Sequence, residues 1–312
     1  MNIVLTGATG FIGSHVARRL LVAGHKVTAV VRPASDLWRI KDLLPSLTLL
    51  EGDLSVLSGL RGSLAAARPD LFIHLAWLGQ KLTPAAGNIV ALGSSLELLQ
   101  LMPEIGCRRI MMAGSCFEYA PSRDELMEES PAKPHDLYGA AKHALFLAGS
   151  HFAALTKIEL IWPRIFYVYG PHEDPRRLVS SVIVALLKGE SAPTTRGEQM
   201  RDYLHVEDVA DALCAIAENG VSGAVNVASG TDVTVAQVAT QIGRLTGRPD
   251  LLRLGALPYR EGEPMVIRAG TRRLRDEVGW KARFDLAGGL ADTINWWKAW
   301  LSTTGANAVR TR

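Results

Sequence analysis

Cysteine is scarce in this chain. The three present, Cys107, Cys116 and Cys214, are odd in number and far apart, which excludes a disulfide framework and a paired-cysteine metal site. Neither sign of charge is in excess: 34 basic against 31 acidic residues leave a net +3. A nucleic-acid partner would need a local basic stripe, and the one dense cluster, Arg272, Arg273 and Arg275, reads as the solvated face of a short helix. No apolar run reaches the length expected of a membrane span. Asn2-Ile3-Val4-Leu5-Thr6 opens the chain without the basic and apolar regions of a leader. No repeat or low-complexity segment is present. The expectation is a soluble, cytoplasmic protein in a reducing setting, without membrane, nucleic acid or metal. At 312 residues, 48% hydrophobic and 21% charged, it suits one large domain or two sharing a core.

Glycine, by contrast, is placed with purpose near the start. Residues 2–6 read as a strand buried on both faces. Thr6-Gly7-Ala8-Thr9-Gly10-Phe11-Ile12-Gly13 follows, then an amphipathic helix from Phe11 to Ala23 and a second strand from Lys26 to Arg32. Glycines at a strand-to-helix turn put a pyrophosphate against a helix N-terminus. Gly7 allows the tight turn, Gly10 the approach of the phosphates and Gly13 close helix–strand packing. The spacing is Gly-x-x-Gly-x-x-Gly rather than the more familiar Gly-x-Gly-x-x-Gly. An acidic residue ending the second strand would accept from ribose hydroxyls, whereas Arg32, with Ser35 as a second donor, suits a 2′-phosphate. That favours NADP over NAD. Asp53, followed by Leu54, is placed to reach the adenine.

Strands and helices then alternate: strands over 47–50, 70–75, 109–113 and 157–162, helices over 56–67, 84–104 and 139–151. Such alternation predicts an α/β protein with a doubly wound, Rossmann-type parallel sheet. Leu75 and Ala76 fall at the carboxyl end of one strand and Ser115 just past another, the edge where ligands bind. From Pro163 the regularity breaks. Met200 to Val206 and Ala224 to Ala228 read as strands, and a mostly helical remainder includes Thr234 to Leu245, Thr271 to Val278 and Leu286 to Trp297. The expected division is a cofactor-binding part over 1–165, with 200–228 returning to it. A smaller substrate-binding part covers 166–199 and 229–302, and 303–312 is a disordered tail.

On the helix beginning near Asp136, Tyr138 and Lys142 stand four residues apart and so share a face. A phenol is a poor acid, with a pKa of about 10. A neighbouring ammonium favours its ionised form, which predicts an acid–base pair with Tyr138 lowered by Lys142.

The glycine turn, Ser115 at a strand end and Tyr138…Lys142 on the next helix together resemble the extended short-chain dehydrogenase/reductase family of nucleotide-sugar epimerases, dehydratases and ketoreductases. The likeness covers nearly the whole chain. Gly170-Pro171, following Arg164-Ile165-Phe166-Tyr167-Val168-Tyr169, is similar to the family's loop after the sixth strand. Arg201-Asp202-Tyr203-Leu204-His205-Val206-Glu207-Asp208 matches its substrate signature, and Arg260-Glu261-Gly262-Glu263 its late diphosphate-binding segment. The resemblance implies Tyr138 as general acid/base, Lys142 on the nicotinamide ribose and Ser115 on the reacting oxygen. Asn88 and Arg164 would stand beside the cofactor. Tyr167, Leu178, Arg201 and Arg260 would contact substrate, the two arginines clamping a diphosphate. Family members often dimerise through helices placed like 84–104 and 136–154, so a homodimer is expected.

Two departures narrow the chemistry. Dehydratases of this kind carry Asp-Glu directly after the Ser/Thr, but Cys116 and Phe117 stand here and cannot shuttle that proton. Glu118 is one position late, and on a strand its side chain would point to the other face. Many epimerases have asparagine where this chain has Tyr167. With Arg32, the pattern looks most like the NADPH-dependent 4-ketoreductases such as CDP-abequose and CDP-paratose synthases. A 4-epimerase retaining NAD is the alternative. Readings of another class are a non-catalytic NADP sensor, against which the intact Ser115, Tyr138 and Lys142 argue, and reduction of a small carbonyl that would not need Arg201 or Arg260.

Overall fold

The computed structural model describes residues 1–77 and 84–304. In chain order β1 (Asn2–Thr6), α1 (Phe11–Val22), β2 (Lys26–Val31), β3 (Thr48–Glu51), α2 (Arg61–Ala67), β4 (Leu71–His74), α3 (Pro84–Glu104) and β5 (Arg109–Met112) come first. Next are β6 (Gly114–Ser115), β7 (Glu125–Leu126), α4 (Leu137–Thr156), β8 (Glu159–Ile165) and β9 (Tyr167–Tyr169). Then follow α5 (Leu178–Leu187), β10 (Ala192–Pro193), β11 (Met200–His205), α6 (Val206–Asn219), β12 (Gly223–Val227) and β13 (Asp232–Thr234). The chain ends with α7 (Val235–Thr246), β14 (Leu252–Arg253), β15 (Arg268–Ala269), α8 (Arg272–Asp276) and α9 (Leu286–Thr304).

The main sheet runs β12-β8-β5-β4-β1-β2-β3, with β6 also on β8, and its pairings are parallel. This is the doubly wound order the alternation predicts. The chain reverses direction across the sheet between β1 and β4, so a crevice opens at their carboxyl ends. Both faces are covered. One core cluster joins Val16 and Leu20 of α1 to Leu213 and Ile216 of α6. The other joins Leu98 and Met102 of α3 to Leu145 of α4 and Trp162 of β8. Burial on two sides explains why β1 and β4 are runs of apolar residues rather than alternating ones.

Several expectations change. β11 pairs with β9 and β13 rather than with the main sheet, and only β12 rejoins it. The C-terminal part thus has its own small sheet beside α5, α7 and α9, whose Val182, Ile183, Val238, Leu290 and Ile294 share a third cluster. The segment 56–67 is a short 3-10 turn at Leu57–Gly59 followed by α2. Helix α9 extends to Thr304, two residues into the expected tail, and the rest of that tail lies outside the described residues. The expectation of no span-length apolar segment also fails on composition: Ala85–Glu104 is long and apolar enough, with a mean hydropathy of 1.2. In the fold, α3 packs beside α4 on the sheet.

Candidate active site

The glycine loop joins β1 to α1 and closes against the end of β4. Gly7 has φ +79, a conformation that favours glycine. A Cβ there would also sit 2.8 Å from the Ala76 nitrogen, and one on Gly13 would sit 2.0 Å from the Gly7 carbonyl oxygen. Helix α1 starts on Gly10, and no side chain caps it. Its first N–H groups therefore present an open, polar, positively polarised end. This cradle fits a dinucleotide pyrophosphate. Thr9 is tied from outside, its carbonyl accepting from Arg39 Nη1 at 3.4 Å, and Phe11 and Ile12 begin the helix half-buried.

At the crevice, the Leu75 amide extends the sheet by donating to the Thr6 carbonyl. The Ala76 amide donates to Thr6 Oγ1 at 3.3 Å. That hydroxyl bonds His74 Nδ1 at 2.8 Å, and His74 Nε2 meets Ser95 Oγ at 3.0 Å. Burial drives the His74 pKa down to about 3, with Lys142 adding to the effect, so the imidazole is neutral. Arg32 is exposed at the end of β2 and lines a cleft with Ser35, Leu37 and Glu51. Asp53 accepts from the Ser55 amide and hydroxyl, both at 2.8 Å, with Leu54 half-buried beside it.

Ser115, Tyr138 and Lys142 converge as expected. Ser115 ends β6 in an extended conformation and is 5% exposed. Its hydroxyl acts on the Tyr138 phenol, pulling the pKa of that group down, and accepts from the Phe117 amide at 3.3 Å. Helix α4 is capped by Asp136, whose Oδ1 accepts from the Gly139 amide at 2.7 Å. This holds the turn carrying Tyr138 against the loop after Ser115; a Cβ on Gly139 would strike the Phe117 carbonyl at 2.2 Å. Lys142 is 4% exposed. Its ammonium donates to the Ala113 carbonyl at 2.7 Å and lies 3.7 Å from the centre of the Trp77 ring.

The tuning differs from the sequence expectation. Burial pushes Tyr138 up to about 12; Ser115 opposes this, while Cys116, Glu118 and Asp136 add to it. Lys142 is itself brought down to about 7 by burial, with Glu118 pulling the other way. In the protein alone desolvation is the largest effect on Tyr138, which is a protonated acid.

The chain matches the model of the NAD dependent epimerase/dehydratase family over residues 3–228. It belongs to that family. Over 95% of its length it is 28% identical to UDP-glucose 4-epimerase 3 of Oryza sativa subsp. japonica, covering 90% of that protein. It is also 28% identical to the dTDP-6-deoxy-L-talose 4-dehydrogenase (NAD(+)) of Aggregatibacter actinomycetemcomitans, over 74% of this chain and 85% of that one. In fold it is similar to the crystal structure of UDP-glucose 4-epimerase with UDP-glucose from Thermotoga maritima. There the TM-score is 0.87 at 24% identity, covering 96% of this chain and 100% of that one. The protein is therefore an enzyme of the NAD-dependent epimerase/dehydratase type within the extended short-chain dehydrogenase/reductases.

Not every residue that the resemblance implied faces this epimerase/dehydratase centre. Asn88 is 4% exposed on α3, and its Oδ1 accepts from Trp77 Nε1 at 2.8 Å. Arg164 does not point at the cofactor crevice. It is 3% exposed in β8 and paired with Glu118 at 3.0 Å, between the rings of Tyr119 and Phe146; a strand buried on both faces sends it to an internal partner. Tyr167 stands edge-on to Phe117 at 6.1 Å, with the Arg201 guanidinium 5.2 Å over its ring. Arg201 is 2% exposed and bound to the Met200 carbonyl and, at 3.4 Å, to Glu263. It is close to the aromatic wall but already partnered. Arg260 is exposed on the turn whose Glu263 amide donates back to its carbonyl. Leu178 starts α5 and packs into the third core cluster.

Sequence reasoning missed Trp77 and misread Glu118. Trp77 follows the strand end as an ordinary apolar residue, with no spacing to mark it as Lys142's partner. Cys116–Glu118 is a 3-10 turn rather than a strand, so alternation gave the wrong reason for turning Glu118 away from the substrate.

Proposed function

We propose that this enzyme is an NADPH-dependent reductase acting on the C4 carbonyl of a nucleotide-linked 4-keto-6-deoxy sugar. The observation that carries the reading is the pairing of a protonated Tyr138 with an apolar neighbour, Phe117. The phenol, held at about 12, is a proton donor ready for an alkoxide. At the positions where a dehydratase needs acid–base side chains stand Phe117 and Cys116, the latter buried and raised to about 12. Phe117 meets Tyr138 at 6.2 Å, Tyr167 at 6.1 Å and His135 at 5.8 Å. Such a wall suits the methyl group of a deoxy sugar better than a hydroxymethyl.

When bound, the dinucleotide supplies hydride from its nicotinamide ring. Ser115 holds the reacting oxygen through its hydroxyl and so orients the carbonyl. Tyr138 passes its proton to the C4 oxygen as negative charge develops there. Lys142, over Trp77, would hold the nicotinamide ribose. Arg260, exposed on its turn, would supply positive charge for a diphosphate, with Arg201, held over the Tyr167 ring, adding to the local field. Arg32 and Ser35 favour a 2′-phosphate, and hence NADPH.

A second reading, an NAD-dependent nucleotide-sugar 4-epimerase, is favoured by the likeness to the Oryza UDP-glucose 4-epimerase over 95% of the chain. Incubation with an NDP-4-keto-6-deoxyhexose and NADPH separates the two. Stoichiometric loss of absorbance at about 340 nm from the reduced nicotinamide is expected. Inversion of an NDP-hexose at C4 without net cofactor use would replace the reductase reading with the epimerase. We also propose a homodimer through α3 and α4, which expose Ile89 and Val90 (57% and 50%) and Leu147 and Leu155 (54% and 85%). Val90→Glu with Leu147→Glu should give a monomer in light scattering, and an unchanged mass would reject that face.

A further inference from the structure

We propose that Glu118, clamped by Arg164, is the positioning residue of this centre, fixing the Ser115 backbone and supplying a fixed negative charge beside Tyr138 and Lys142. The kinetic part rests on the hydride-transfer reading above; the charge part does not. Glu118 is 0% exposed. Its Oε1 accepts from the Ser115 amide at 2.7 Å and from Trp162 Nε1 at 3.0 Å, and its Oε2 accepts from Arg164 Nε at 3.0 Å. Arg164 is anchored in turn, its Nη1 donating to the Glu128 carbonyl at 3.0 Å. The carboxylate thus bolts the reacting-oxygen holder, Ser115, to β8 on the side away from substrate. The fit leaves no slack: a Cβ on Gly114 would sit 2.3 Å from Trp162 Nε1 and 2.7 Å from Glu118 Oε1.

A buried ion pair is poor evidence of stabilisation, since desolvation offsets most of its attraction. Its value here is placement. The charged and titratable groups around the pair Tyr138–Lys142 come from each packed element. His74 on β4 is neutral, Cys116 and Glu118 lie on the 3-10 turn, and Asp136 caps α4. Glu118 raises both Tyr138 and Lys142. It therefore keeps the phenol protonated and the ammonium charged together. Without it, the negative charge that raises both is lost, and both should move downward.

The test uses two variants of the full chain. Glu118→Gln keeps the acceptor for the Ser115 amide and removes the charge. Glu118→Asp keeps the charge and withdraws it by one methylene. The first readout needs neither substrate nor cofactor: the Cε shift of 13C-lysine-labelled protein, with the Lys142 signal assigned by Lys142→Met. In Glu118→Gln the Lys142 midpoint should fall by roughly one pH unit, as loss of a nearby buried charge requires. A midpoint unmoved would overturn the charge role. In Glu118→Asp, kcat should drop about tenfold or more with KM and the pH profile held, because Ser115 is misplaced. Activity within twofold of wild type would overturn the placement role. Should Glu118→Gln not fold, Glu118→Asp decides alone by the same criterion. A shifted Lys142 midpoint in an enzyme that reduces no keto sugar would keep the charge role and reject the substrate reading.

Discussion

Replacing Glu173 with glutamine should stabilise the protein at neutral pH and above and flatten its stability against pH. Glu173 is 7% exposed, just before α5, and its Oε2 accepts from Ser180 Oγ at 2.7 Å. Burial pushes its pKa up to about 8 from 4.5, against the pull of the Ser180 hydrogen bond and Arg177. The folded state therefore keeps a proton that the unfolded chain releases. Its contribution to stability is complete below about pH 4.5 and is lost as pH rises to about 8. A shift of about 3.5 units at about 1.4 kcal/mol each bounds the loss at about 5 kcal/mol. Local relaxation and water entry lower it, and about 2 kcal/mol is the expected value. For a chain of this size that is about 3 °C in Tm. Glutamine has the shape of the neutral acid and can still accept from Ser180, but it never ionises. Calorimetric Tm values of wild type and Glu173→Gln between pH 5.5 and 8.5 should diverge by that amount, the wild type falling behind. Asp202, also raised, to about 6, titrates in both proteins and cancels in the difference. Parallel curves would refute the argument, as would a variant less stable at every pH.

Three further substitutions probe the centre itself. Tyr138→Phe should lower kcat by about 10²–10⁴ with cofactor Kd within a few fold, the loss typical of removing a general acid; fluorescence titration and steady-state rates check both. Gly13→Ala puts a Cβ 2.0 Å from the Gly7 carbonyl oxygen. Backbone must move, and calorimetric binding should show at least about tenfold weaker cofactor affinity. Arg32→Ala should raise the Kd for NADPH by about tenfold, the low end for a charge-assisted bond because the side chain is exposed, and leave NADH within twofold. Equal losses for both cofactors would remove the case for a 2′-phosphate.

Most of the sheet was legible because its strands are short, β-branched, buried on two sides and punctuated by glycine. Gly7 and Gly13 could be read because each answers a backbone constraint, a positive φ at one and a 2.0 Å approach at the other, that only glycine meets. The small sheet of β9, β11 and β13 was not legible. Tyr167–Tyr169 is too short and aromatic to show a period, and Met200–His205 reads as a strand without disclosing its partner. Arg164 was assigned to the cofactor by position along a motif. The direction of a side chain on a doubly buried strand is set by what lies behind it, here Glu118.

The pair Tyr138–Lys142 shows the same limit in its chemistry. Helical spacing brings an ammonium to a phenol, and from charge alone the phenol should be the stronger acid. The fold adds two terms that spacing does not contain. It buries both groups, which penalises the phenolate and the ammonium alike, and it sets Glu118 and the Asp136 cap on the same side as Tyr138, which penalises the phenolate further. Both terms leave Tyr138 protonated across the physiological range. The electrostatics of the chain's own residues thus set the resting protonation of Tyr138, and do so through groups that a motif search would pass over.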